Sequence, residues 1–150
     1  MEARFRLSQW SKTLGAYSLY VDGWPPIEAA ISTVFPLGGN VELAKVEPVG
    51  GESRAHFQVT DIDTGETWSP LQEICMEGEP GRCRILVSDI GEHQVRIWWD
   101  GGEPRGSEIF VYEDLTDRRS ICEDVTVVKA LFYEFFENKG VSPRIIEVTR

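Results

Sequence analysis

Short segments of alternating apolar and polar residues recur along this chain and constrain its fold more than any other feature. The clearest are "RAHFQVTDID" and "GRCRILVSDI". Successive side chains of a strand point to opposite faces, so each segment predicts a strand with one apolar face. The segments "ARFRLSQW", "AYSLYVD", "NVELAKVEP" and "PRIIEVT" predict further strands. Consecutive strands joined by short turns favour an antiparallel sheet.

Two segments have helical spacing instead. Ile27, Ala30, Ile31 and Val34 follow the i, i+3, i+4, i+7 pattern of one buried face, which predicts a helix from about Pro25 to about Phe35. The second segment is "EDVTVVKALFYEFFENKG", with Asp124 as its N-cap and Gly140 at its end. Its predicted apolar stripe is Val127, Val128, Leu131, Phe132 and Phe135. We therefore predict a single α+β domain over residues 1–150. It has one curved antiparallel sheet of about six to eight strands, with an early and a late helix packed on it.

Two predictions concern the middle of the chain. "TWSPLQEICME" predicts a short edge strand interrupted by Pro70, because proline cannot donate to a sheet ladder. "HQVRIWWD" and "SEIFVYED" predict a hairpin whose loop runs over residues 100–106. In that hairpin Ile97 pairs with Ile109, and Trp98 and Trp99 point to opposite faces. The face that holds Trp98 and Phe110 is either a second small core or an interface.

The net charge of the chain limits the classes of molecule that it is expected to bind. There are 25 acidic and 15 basic residues, a net charge of −10. Such a surface repels nucleic acids and anionic lipids and attracts basic proteins, although it can also serve only to keep a protein in solution. Aromatic residues ringed by carboxylates resemble a binding hot spot. The predicted partner-binding residues are Arg96, Trp98, Asp100, Glu103, Glu108, Tyr112, Glu113 and Asp114.

We find no catalytic motif and predict no enzyme activity, metal site or cofactor. Cys75, Cys83 and Cys122 lack the spacing of a zinc site or of a disulfide framework and are expected to be reduced. The two histidines, His56 and His93, have no motif around them. "DIDTGE" is a turn rather than a calcium loop, and "GGEPRG" lacks the lysine of a phosphate loop. Without an apolar leader or a run long enough to cross a bilayer, the chain is expected to be cytoplasmic and to bind no membrane.

The layout of the chain resembles that of small bacterial immunity proteins from polymorphic and contact-dependent toxin systems, and of related uncharacterised proteobacterial proteins. The resembling parts are a tryptophan followed by "PPIEAAISTV" and "GGNVEL", and the tail "EDVTVVKALFYEFFENKGVSPRIIEV". The resemblance implies an inhibitor that binds one basic toxin, such as a nuclease or a deaminase, and blocks its active site.

Two other functions stay open at this point. The chain could be another acidic binding module, such as a secretion chaperone or a dimeric adaptor, or a hydrolase that uses a pair of carboxylates. The sequence also leaves open whether the protein is a monomer or a homodimer.

Overall fold

The computed structural model describes residues 5–45, 59–60, 67–68, 73–88, 94–97, 108–111, 114–117, 121–137 and 146–149, with side chains in 5–45, 73–87 and 121–137. The elements in chain order are β1 (Phe5–Ser11), β2 (Gly15–Val21), α1 (Trp24–Val34), β3 (Gly39–Lys45), β4 (Val59–Thr60), β5 (Thr67–Trp68), β6 (Glu73–Glu79), β7 (Arg82–Ser88), β8 (Gln94–Ile97), β9 (Glu108–Val111), β10 (Asp114–Asp117), β11 (Ile121–Cys122), α2 (Val125–Glu137) and β12 (Ile146–Thr149).

The main sheet has eight antiparallel strands. Seven of them follow the order β12-β8-β7-β6-β3-β1-β2, and β11 pairs with β7. Two small two-stranded sheets join β4 to β5 and β9 to β10. With one early and one late helix beside the large sheet, the predicted α+β fold is confirmed.

The early helix matches its prediction closely. Prolines occupy its first turn, where their missing N–H groups cost no hydrogen bond. The four residues predicted from their spacing, Ile27, Ala30, Ile31 and Val34, are all buried. The helix packs against β1 and β3, so α1 covers two strands that are neighbours in the sheet.

The late helix begins after the predicted cap. Asp124 Oδ1 accepts hydrogen bonds from the Thr126 backbone N–H (2.9 Å) and hydroxyl (2.7 Å), which lowers the pKa of Asp124. The buried stripe of α2 is Val128, Leu131, Phe132, Phe135 and Phe136. It differs from the predicted stripe at two positions, because Val127 is only half-buried and Phe136 is buried. Gly140 lies outside the described residues. Neither helix in the described part is long and apolar enough to span a bilayer.

The predicted edge strand at "TWSPLQEICME" is wrong in position. The seven residues of β6 lie between β3 and β7, in the interior of the sheet. Their inward side chains, Ile74 and Met76, are almost fully buried. The strand begins at Glu73, after Pro70, so the proline does not interrupt the hydrogen-bond ladder on either side.

The predicted hairpin between residues 94–98 and 107–112 is also wrong. Val95 of β8 pairs with Val87 on one side and with Val148 of β12 on the other. Both edges of β8 are therefore occupied, and β9 pairs with β10 instead. The physical reason is that seven residues, 100–106, separate the two predicted strands, too many for a tight turn. A tight turn fixes the register of a hairpin, and without one the apolar strand at residues 146–149 can replace the nearby partner.

Candidate functional site

The predicted partner-binding residues do not share one hairpin face. Arg96 lies on β8 of the large sheet, opposite Leu86 and Glu147. Glu108 lies on β9 opposite Asp117, and Asp114 begins β10 opposite Val111. Glu108 and Asp114 therefore belong to the same small sheet, at its opposite ends, and this sheet is separate from the strand of Arg96. The remaining members, Trp98, Asp100, Glu103, Tyr112 and Glu113, lie outside the described residues.

A different surface is open at the other end of the large sheet. In the part of the chain that the structure describes, β2 pairs only with β1, and six of its seven residues are exposed. Tyr17 is 52% exposed and Tyr20 is 66% exposed, and Leu14 and Leu19 are also exposed. We call these four side chains the β2 edge surface. Tyr17 and Leu19 lie on the face toward α1 and Tyr20 on the opposite face, because side chains alternate along a strand. Large apolar side chains that are exposed beside each other, as Tyr17 and Leu19 are, are typical of interaction sites.

The position of α1 explains why this surface is uncovered. The helix packs mainly on β1 and β3, and it covers β2 less closely. Tyr17 and Leu19 lie opposite Gln9 and Leu7 of β1, whose side chains are buried under the helix. Between helix and strand runs an open groove of about 180 Å³. It is lined by Leu7, Gln9, Tyr17, Leu19, Pro26, Ala29, Ala30 and Thr33, none of which is charged.

The β2 strand carries no charge at all. Its sequence is "GAYSLYV", and Ser18 at its centre shares a hydrogen bond of 2.8 Å with Ser8 of β1. Natural edge strands usually carry charges, prolines or bulges that prevent them from pairing with other chains. The described part of this edge has no such protection, since the strand is regular over all seven pairs with β1.

Charge is distributed unevenly between the two parts of the chain. Residues 1–45 hold four acidic and four basic side chains. Residues 46–150 hold 21 acidic and 11 basic side chains and therefore carry the entire net charge of −10. Strands β1, β2 and β3 at one end of the sheet come from the neutral part, and β6, β7, β8 and β12 come from the acidic part.

The face of the sheet away from the helices holds a buried ion pair. Arg84 is only 5% exposed, and its Nη2 lies 2.6 Å from Glu77 Oε1, which also accepts a hydrogen bond from Nε (2.7 Å). Nearby, burial and the carboxylates of Glu77 and Glu42 hold the pKa of Cys75 well above its usual value. A thiol in these surroundings stays protonated and is a poor nucleophile.

The other two cysteines lie directly opposite each other on β7 and β11. Both are buried, and the hydrogen bond between the thiols raises the pKa of Cys83 and lowers that of Cys122. They pack within the apolar core, next to α2. Across the described ranges, no three histidine, cysteine or acidic side chains gather in the way that a metal site requires.

The β2 edge surface offers backbone groups, two tyrosine rings and an apolar groove, which can hold another strand. The site could not be predicted from the sequence, because the alternation in "AYSLYVD" predicts that Tyr17, Leu19 and Val21 share a face but not which strand ends the sheet. The signal that could have revealed the site is a seven-residue strand without a charge or a proline.

Comparisons with known proteins identify a similar fold but do not assign the chain to a family. No protein-family model matches the chain, and no curated protein matches it. The chain is similar to a solved crystal structure described as a hypothetical protein from Neisseria gonorrhoeae, with a TM-score of 0.59 and 11% sequence identity. The likeness covers 93% of this chain and 92% of that chain, and at this identity it shows the fold alone.

Proposed function

We propose that this protein is a non-enzymatic, cytoplasmic inhibitor that binds and neutralises a basic protein toxin, in the manner of a bacterial immunity protein. The observation that carries the proposal is the segregation of charge, with the whole net charge of −10 on residues 46–150. Toxins that act on nucleic acids are often basic, because their substrates are polyanions. An acidic region of this strength attracts such a protein and speeds the encounter.

The proposed contact lies in the acidic part of the chain. Glu108 and Asp117 are directly opposite on the β9–β10 sheet, and Asp114 lies at the other end of β10. This small sheet contacts β6 of the large sheet. The sequence places Trp98 and Tyr112 close to these carboxylates along the chain. Aromatic rings provide contacts that become desolvated on binding, while carboxylates select a cationic partner and suppress wrong ones.

The test uses the toxic domain encoded by the adjacent reading frame, with cytochrome c as an unrelated basic protein. We expect tight, equimolar binding of the toxic domain by calorimetry and weak binding of cytochrome c. Trp98→Ala and Glu113→Lys should each weaken toxin binding by roughly tenfold or more, as expected for hot-spot residues. The matched control is Glu28→Lys, the same charge change at an exposed position of α1 in the neutral part.

Circular dichroism of each variant separates a binding defect from unfolding. Equal binding by the Glu113→Lys and Glu28→Lys variants would contradict an acidic interface. Loss of the folded state in the Trp98→Ala variant would assign that ring to the core instead.

A second candidate is a dimeric acidic binding module, such as an adaptor or a secretion chaperone. The uncharged β2 edge surface favours it, because an obligate dimer interface is apolar and self-complementary. The two candidates do not exclude each other, since they use different parts of the chain.

A further inference from the structure

We propose that β2 pairs antiparallel with β2 of a second copy of this chain, so that one continuous sheet runs through a two-fold symmetric dimer. The inference is independent of the proposed toxin partner. It is carried by an exposed edge strand, its lack of charge and the neutrality of the end of the sheet to which it belongs.

The register follows from the length of the strand. Full overlap of two copies of Gly15–Val21 places the two-fold axis at Ser18, which then lies opposite Ser18 of the partner subunit. Tyr17 falls opposite Leu19 of the partner subunit, and Ala16 falls opposite Tyr20 of the partner subunit. Each large exposed ring therefore meets an apolar side chain, and the match holds in both directions, as a two-fold interface requires.

The groove beside α1 extends this contact. Tyr17 and Leu19 form one wall of the groove, and α1 forms the other. In the dimer the two grooves meet at the two-fold axis. Tyr17 and Leu19 of each subunit then pack together and cover both grooves. Side chains that are exposed in the single chain are thereby removed from water, which is the main source of dimer stability.

Charge selects a second copy over a cationic peptide as the occupant. A cationic segment would find no carboxylate on β2 or in the groove lining. A second copy brings an equally uncharged strand, and its excess of acidic residues belongs to residues 46–150, which form none of β1, β2 and β3. Pairing through the neutral ends thus joins two chains of net charge −10 with the least repulsion.

The first test measures mass by size-exclusion chromatography with light scattering at micromolar concentration. The wild-type protein is expected to have twice the 17.0 kDa mass of one chain. Ser18→Lys places two ammonium groups directly opposite each other and should give a monomer with an unchanged circular dichroism spectrum. Leu37→Lys is the matched control, because Leu37 is exposed (43%) outside the strand, and it should remain a dimer.

The second test fixes the register. Directly opposite residues of antiparallel strands lie within the range that a disulfide spans. With oxidised glutathione as the oxidant, Ser18→Cys should form a cross-linked dimer on a non-reducing gel. Ser32→Cys, at an exposed position on α1, and the wild-type protein should not.

A monomeric wild-type protein would overturn the proposal, as would a dimer that survives Ser18→Lys. Cross-linking of Ser32→Cys in preference to Ser18→Cys would place the interface on the helix and overturn it as well. None of these outcomes bears on binding of the toxic domain, so the two proposals fail separately.

Discussion

At the residue scale, two arginine–glutamate pairs with similar distances differ in their surroundings. Arg84 and Glu77 are held at 2.6 Å with the guanidinium almost fully buried. Arg82 and Glu79 are held at 2.8 Å with both side chains 39% exposed. Water screens the Arg82–Glu79 pair but not the Arg84–Glu77 pair. Loss of one partner should therefore lower the free energy of unfolding more at the buried pair.

This contrast predicts unequal costs for one type of substitution. We expect Glu77→Ala to lower the free energy of unfolding by about 3 kcal/mol, because it takes the carboxylate away from a buried guanidinium. Glu79→Ala should cost at most about 1 kcal/mol, as for other exposed pairs. Chemical denaturation of both variants gives the comparison. Equal costs would show that the burial of Arg84 does not determine the strength of its ion pair.

At the element scale, the start of β3 depends on a glycine. Gly39 has φ +143°, and a Cβ at this position would overlap the backbone carbonyl oxygen of Trp10 on β1. The strand can approach β1 closely only because the side chain is a hydrogen atom. Gly15 at the start of β2 has φ +78°, but its surroundings are open, with nothing within 4 Å of a Cβ.

The two glycines form a matched pair for a test. Gly15→Ala should cost about 1–2 kcal/mol, the strain of a left-handed residue alone. Gly39→Ala adds a clash with backbone that cannot move without breaking the β1–β3 pairing, so we expect a clearly larger loss. Thermal denaturation measures both variants. A smaller loss at Gly39 than at Gly15 would contradict the close approach of the strands.

Helices and strands that depend on residues close together in the sequence could be predicted. The periodicity of α1, the Asp124 cap of α2 and the strand β7 each depend on a few neighbouring residues, and all three are confirmed. The burial of β7 does not alternate, because Arg84 and Leu86 on its second face are buried as well. The wrong predictions concern partners. Pairing of β8 with β12 joins segments about fifty residues apart. No local pattern predicts which apolar strand will pair with the second edge of β8.

The candidate site was missed for the same reason. Alternation predicted that Tyr17, Leu19 and Val21 share a face, and the register with β1 agrees. The exposure of Tyr17 and Leu19 depends on where β2 lies in the order of strands and on which strands α1 covers. Both are properties of the assembled sheet. Among the residues first proposed for partner binding, the structure describes the backbone of Arg96, Glu108 and Asp114, and their role remains a prediction.

At the scale of the whole molecule, the two proposed contacts differ in the force that holds them. The acidic part of the chain attracts a basic partner through long-range charge, whereas the β2 edge surface is uncharged. Salt screens the first interaction. Salt does not weaken the uncharged contact between β2 strands, and it also screens the repulsion between two chains that are both negatively charged.

Added sodium chloride should therefore have opposite effects on the two contacts. We expect the association rate with the toxic domain to fall by roughly tenfold or more between low and high salt. The dissociation constant of the dimer should stay constant or decrease over the same range. Surface plasmon resonance measures the first quantity and light scattering the second. A dimer that dissociates in high salt would be held by ion pairs and not by uncharged strands.

The pairing of β8 with β12 also bears on how the chain is made. Strands β1 to β3 and α1 can assemble as soon as the first third of the chain leaves the ribosome, since their contacts are close in sequence. Residues 94–97 must wait for residues 146–149, which are synthesised about fifty residues later. Until those residues emerge, the nascent protein keeps the edge of β8 open to other chains, so a stop codon before residue 146 would leave that edge permanently bare.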